Sequence, residues 1–73
     1  MNDILYTMPE IAQLLKTNVD YVHKLRKSGV LKCIKLGSYK VRKAELERFL
    51  ADNEGKDLTD PFKVSRLNDA VEQ

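Results

Sequence analysis

Apolar residues recur along this chain with two different periods, and the changes of period mark out its elements. Met8, Ile11, Ala12 and Leu15 fall at i, i+3, i+4 and i+7, the spacing of one buried helical face. Thr7-Met8-Pro9-Glu10 opens that helix as a capping box, in which the Thr7 hydroxyl accepts from the Glu10 amide and Glu10 reaches back. Pro9 lies in the first turn, where its missing N–H costs nothing. Asn2 to Tyr6 reads as a short apolar lead-in. Lys16-Thr17-Asn18 then breaks the pattern: Thr17 with Asp20 forms a second capping box, and Asn18 is the alternative cap. A second helix is expected from Val19 to Ser28, with Gly29 as its left-handed stop. Only about three residues separate the two helices, the tight connection of a helix-turn-helix.

The second helix has a thin apolar stripe. Val22, Leu25 and Val19 can face inward, whereas Asp20, His23, Lys24, Arg26 and Lys27 stay largely outside. Such a helix is lightly anchored or presents its polar face to something. After Gly29 the period becomes alternating. Ile34, Leu36, Tyr39 and Val41 bracket Gly37-Ser38, a two-residue loop suited to a type II′ hairpin. In that register Leu36 faces Tyr39 and Ile34 faces Val41 on the buried side, while Lys35 opposes Lys40 and Cys33 opposes Arg42. Two opposed lysines destabilise a hairpin unless an anion lies over them. Helical spacing returns from Lys43 to Asn53, with Leu46, Phe49 and Leu50 apolar, Glu45 and Glu47 near the N-terminal dipole, and Gly55 as the stop. From Lys56 to Gln73 the chain is polar and acidic. There Asp60-Pro61 reads as an N-cap with a first-turn proline, and Val64, Leu67 and Val71 form a weak stripe. A short final helix that forms against a partner is the expectation. The organisation is thus a domain over residues 1–54 and an acidic tail over 55–73.

Length and composition narrow the function. Seventy-three residues, 42% hydrophobic and 33% charged, suffice for one small core, since a chain this short buries only about 60% of its unfolded surface. No apolar run is long enough to span a bilayer, and no leader peptide is evident. One cysteine and one histidine provide neither an internal disulfide nor a metal site, which suits a reducing cytoplasm. The net charge of +2 conceals a strong division. Residues 16–48 carry ten bases against Asp20, Glu45 and Glu47, whereas both flanking segments are net acidic. A basic middle is an electrostatic footprint for a polyanion.

Catalysis finds little support. His23 lies among cations that discourage its protonation and has no acid to orient it. Ser28 and Ser38 sit at a helix end and a turn. Cys33 is expected to pack against the hairpin, with a thiolate near Arg42 as the alternative. No glycine-rich phosphate loop or cofactor motif is present. Duplex DNA fits better, because a helix-turn-helix, a basic second helix and a basic hairpin converge. A major groove admits one α-helix, and the adjacent hairpin can rest on neighbouring phosphates or the minor groove. The candidate contacts are Asp20, Tyr21, His23, Lys24 and Lys27 on the helix, with Lys35, Ser38, Lys40 and Arg42 on the wing. Tyr21 is equally well read as a core residue, and Arg26 as a salt-bridge partner facing the hairpin.

Residues 6–15 (YTMPEIAQLL), 22–31 (VHKLRKSGVL), 34–37 (IKLG) and 44–50 (AELERFL) together resemble the excisionase-type, MerR-like winged helix-turn-helix domains. The resemblance covers roughly residues 4–52. It implies a mainly α fold with a small β-hairpin: helix-turn-helix, two-stranded wing, third helix and polar C-terminal tail. It implies that the second helix enters the major groove and the wing the adjacent minor groove, with His23, Lys24 and Lys27 matching the helix contacts and Lys35, Ser38 and Lys40 the wing. The chain departs from the pattern at Asp20 and in a hairpin one residue shorter than usual. Asp20 repels phosphate or accepts from a cytosine amino group. Family roles include excisionases, which bend DNA and recruit an integrase, and small transcriptional regulators, some aligned head to tail on direct repeats. The excisionase role is the favoured expectation, with a regulator of a mobile element or plasmid and a protein-interaction adaptor as alternatives.

Overall fold

The computed structural model describes residues 4–67. In chain order the elements are β1 (Leu5–Thr7), α1 (Met8–Leu14), α2 (Val19–Lys27), β2 (Ile34–Leu36), β3 (Ser38–Arg42), α3 (Lys43–Asp52), β4 (Lys56–Asp57) and β5 (Ser65–Arg66). The Thr7–Glu10 capping box forms reciprocally, with the Thr7 amide donating to Glu10 Oε1 at 2.8 Å and the Glu10 amide to Thr7 Oγ1 at 3.2 Å. Between α1 and α2 the chain turns at Lys16, whose φ of 57° lies in the left-handed region that costs a non-glycine residue about 1–2 kcal/mol. The amides of Lys16 and Thr17 donate back to the Gln13 and Ala12 carbonyls, which holds the turn against α1. Asn18, not Thr17, caps α2: its Oδ1 accepts from the Tyr21 amide at 2.8 Å. Gly29 leaves α2 with φ 83°, the left-handed exit expected of it.

The core gathers Met8, Ile11 and Ala12 of α1, Val22 and Leu25 of α2, Leu31, Val41 of β3, and Leu46 and Phe49 of α3. Every helix thus contributes the stripe that its apolar spacing predicts, with three exceptions. Leu50 is exposed, and Leu15 and Val19 are only partly buried. Among the described residues the fold is a small winged helix-turn-helix with three helices and an antiparallel wing. Among the described residues no helix is long and apolar enough to cross a membrane.

Two details of the sheet differ from expectation. The lead-in is a strand: β1 pairs with β3 as Leu5↔Arg42, Tyr6↔Val41 and Thr7↔Lys40, making a three-stranded sheet in the order β1-β3-β2. The hairpin register is also slipped by one residue, pairing Ile34 with Lys40, Lys35 with Tyr39 and Leu36 with Ser38. Gly37 alone turns the chain, at φ 79°. A one-residue slip exchanges the two faces of a strand. Accordingly Ile34 and Leu36 are exposed, at 40% and 57%, and Lys35 does not oppose Lys40. Burial decides the register: Val41 is completely buried and both its neighbours in β3 are tied to β1, so β2 must pair around a strand already oriented.

The segment after α3 forms no helix over residues 56–67. β4 and β5 pair as Lys56↔Arg66 and Asp57↔Ser65. Asp60 Oδ1 accepts from the Phe62 amide at 3.0 Å, so the Asp-Pro signal makes a local turn instead of a helix start. Pro61 is buried, and Leu58 packs against the core. Val71, the last member of the expected stripe, lies outside the described residues.

Candidate nucleic-acid interface

Full burial of Val22 and Leu25 fixes the rotation of α2 and turns Asp20, Lys24 and Lys27 outward, all three exposed. Their i, i+4, i+7 spacing lines them along one side of the helix. His23, one position before Lys24, is half-buried and meets the wing edge-on: its ring centroid lies 6.0 Å from that of Tyr39 at an interplanar angle of 76°. The Arg26 Nε donates to His23 Nδ1 at 3.3 Å.

Tyr39 joins the helix to the wing. The Arg26 guanidinium carbon stands 4.0 Å from its ring centroid and the Lys35 Nζ 5.0 Å from it. This arrangement replaces the salt bridge expected of Arg26, and it follows directly from the observed register, which sets Lys35 opposite Tyr39. Ser38, Lys40 and Arg42 alternate onto the other face of the sheet. There Lys40 Nζ donates to Ser38 Oγ at 2.6 Å, while Arg42 is exposed at the N-cap of α3. The candidate residues therefore divide into an α2 line, a helix–wing junction formed by His23 and Lys35, and an outer wing face.

Tyr21 takes the packing alternative of its two readings. Its hydroxyl donates to the Leu58 carbonyl, and its ring lies against the core. Burial first, and the Asp57 carboxylate second, push its ionisation above the ordinary tyrosine value. Tyr21 thus fastens the C-terminal segment to α2. Cys33 is half-buried beside the core, and burial raises its thiol pKa against the opposing effect of Arg26. That describes a packed thiol, as expected, in place of a thiolate near Arg42.

The loop joining α2 to the wing is anchored by Arg48, a residue whose structural part was not apparent from the sequence. Its Nε donates to Glu45 Oε1 at 2.8 Å, Nη1 to Asp52 Oδ2 at 2.8 Å, and Nη2 to the Val30 carbonyl at 3.0 Å and to Glu45 Oε2. Glu45 Oε2 also accepts from the Lys32 amide at 2.9 Å. The Arg48 hydrogen bonds are the main reason the Glu45 carboxyl titrates below its usual range, and they raise the Arg48 pKa in turn. Tyr39 and Arg48 are the residues that sequence spacing missed, while Arg26 faces the hairpin as expected but meets the Tyr39 ring in place of an acid. Arg26 sits one helical turn from His23, the one signal that placed it on the wing side of α2.

Among the described residues no three of His, Cys, Asp or Glu are grouped to hold a metal ion. A family model described as a helix-turn-helix domain matches residues 5–54. No curated protein and no solved structure gives a significant match.

Proposed function

The chain belongs to the helix-turn-helix domain family, a DNA-binding class, and from that premise we propose that it binds duplex DNA with α2 in the major groove and the wing on the adjacent minor groove. The observation that carries this reading is the line of Lys24 and Lys27 on the exposed side of α2, continuous through His23 with the lysine of the wing. The exposed side of such a helix approaches base edges, whereas wing cations approach phosphates. Asp20 then discriminates bases by accepting from an exocyclic amino group and repelling misplaced phosphate.

Within that class we assign the chain the work of an excisionase, which binds direct repeats as several copies, bends the DNA and assists an integrase. A single domain this small covers few base pairs, so useful specificity requires neighbouring copies. Head-to-tail contact is open-ended and suits direct repeats, whereas a two-fold dimer requires a palindrome. The acidic stretch from Asp52 to Asp60 is the complement offered to the basic wing of the next copy. Exposed Phe62, Val64 and Leu67 give the C-terminal segment an apolar surface for a recombinase. Sedimentation of the free protein, followed by footprinting on one repeat and on tandem repeats, tests this. A monomer that protects tandem repeats cooperatively supports the assignment. A stable free dimer, or a protected palindrome, refutes it.

A further inference from the structure

Two cations stand against the Tyr39 ring with no acid among them. Arg26 and Lys35 approach the same ring, at 4.0 Å and 5.0 Å. Among the described residues every ion pair belongs to Arg48 and neither of these two cations joins one. Arg26 uses its Nε toward His23, and its terminal N–H groups are directed to no acceptor among the described residues. Beside them lies an open cleft of about 370 Å³ between the start of α1, α2 and the wing tip, whose lining includes Thr7, His23, Lys35 and Ser38. Two like charges gathered on a neutral ring repel each other, and a phosphate anion held beside the ring offsets that repulsion.

We propose that Arg26, Tyr39 and Lys35 form a seat for one backbone phosphodiester at the helix–wing junction. The proposal rests on the duplex-binding reading above and adds to it. A helix in the major groove and a wing in the adjacent minor groove must straddle the sugar–phosphate strand that separates the two grooves. The helix–wing junction is the part placed to meet this strand, and Arg26 and Lys35 both stand there on the Tyr39 ring. Tyr39 serves as the positioning residue: its ring holds one cation from α2 and one from β2 at a fixed separation, so the helix and the wing engage the same strand as one unit.

The test measures duplex affinity as a function of salt for the full chain and for Arg26→Gln, Lys35→Gln and the double variant. Each phosphate that is no longer neutralised lowers the slope of log affinity against log salt by about 0.9. For a single phosphate shared by both cations, each single variant is expected to lose part of that slope and the double variant the whole of it, about 0.9, with the melting temperature of Lys35→Gln unchanged. A single neutral methylphosphonate, moved along one strand, should weaken the parent protein at one position and leave the double variant indifferent there. Tyr39→Leu keeps both charges but releases their spacing, and should weaken binding with a smaller change of slope than the double variant. If the parent protein binds with a strong salt dependence and Lys35→Gln keeps the full slope, the seat is refuted while the duplex-binding reading stands. If the parent protein itself shows no salt-dependent binding to duplex, both are refuted.

Discussion

Arg48→Ala should loosen the attachment of the wing to the rest of the molecule, and the size of the effect can be built up from its hydrogen bonds. The Arg48 side chain is 39% exposed, that of Glu45 14% and that of Asp52 58%. The Asp52 pair is therefore an ordinary i, i+4 surface pair, contributing about 0.3–0.5 kcal/mol. The two-pronged interaction with Glu45 is better shielded, and after discounting for the solvent around Arg48 it contributes about 1 kcal/mol. The Val30 carbonyl adds about 0.5 kcal/mol. The sum of about 2 kcal/mol corresponds to a fall of roughly 8–16 °C in the melting temperature of a domain this size. Lys in place of Arg keeps the charge but not the planar fork, so Arg48→Lys should recover less than half of the loss. The effect also carries a pH signature. Because the folded Glu45 carboxyl titrates below its unfolded value, its contribution is complete above the unfolded carboxylate pKa of about 4.3 and is lost as pH falls through the lower folded value. Asp57 is lowered in the same sense by the Thr59 hydroxyl and amide, but it is common to both proteins and cancels in their difference. Thermal melts of parent and variant at neutral and acid pH read the gap directly. It should be wide at neutral pH and narrow in acid. Equal melting temperatures at neutral pH, or a gap unchanged in acid, would refute the role given to this network.

Three further outcomes are expected. Leu46→Ala, at a position 7% exposed, should cost about 2–5 kcal/mol in chemical denaturation, and an unmoved transition would contradict its place in the core. Tyr21→Phe should cost about 0.5–1.5 kcal/mol through loss of the Leu58 hydrogen bond; ending the chain at residue 55 should cost more, because Leu58 and Pro61 also leave their packing, whereas an unaffected truncation would show the C-terminal segment to be a passive tail. Lys24→Ala should weaken a preferred site by about 1–3 kcal/mol more than random duplex, while Lys40→Ala should weaken all duplexes alike; equal small losses in both would mean that the docking face lies elsewhere.

What the sequence reveals here is mostly what is decided locally. The capping box at Thr7 and Glu10, the left-handed exit at Gly29 and the apolar faces of α1 and α3 are each settled within a turn or two of chain. The hairpin register was not legible, because it depends on the pairing of Tyr6 with Val41, which joins residues across most of the domain. A three-residue strand such as β1 has no periodicity from which to be found. The slipped register also moves the chemistry. Alternation alone places Lys35 against Lys40, whereas the true pairing delivers Lys35 to Tyr39 and exposes Ile34 and Leu36 on the outer face. Asp60-Pro61 carries a sound local signal for a helix start, and packing of Leu58 and Pro61 onto the body overrides it. Lys24, Lys27 and Asp20 were legible as exposed residues because Val22 and Leu25 leave α2 only one rotation. Arg26 was legible as facing the hairpin but not as a partner of Tyr39, since stacking on a ring from another element leaves no trace in spacing.

Everything proposed for this protein depends on α2 reading the major groove while the wing lies along the neighbouring minor groove. Methylation interference addresses that geometry in a single experiment, because dimethyl sulfate marks guanine N7 in the major groove and adenine N3 in the minor groove of the same duplex. On a preferred site, methylated guanines should interfere within one major-groove tract, and methylated adenines in the minor groove immediately beside it. Lys24→Ala should weaken the first signal and spare the second. Interference confined to the minor groove, or absent from both grooves at a site the protein demonstrably prefers, would contradict the assigned docking.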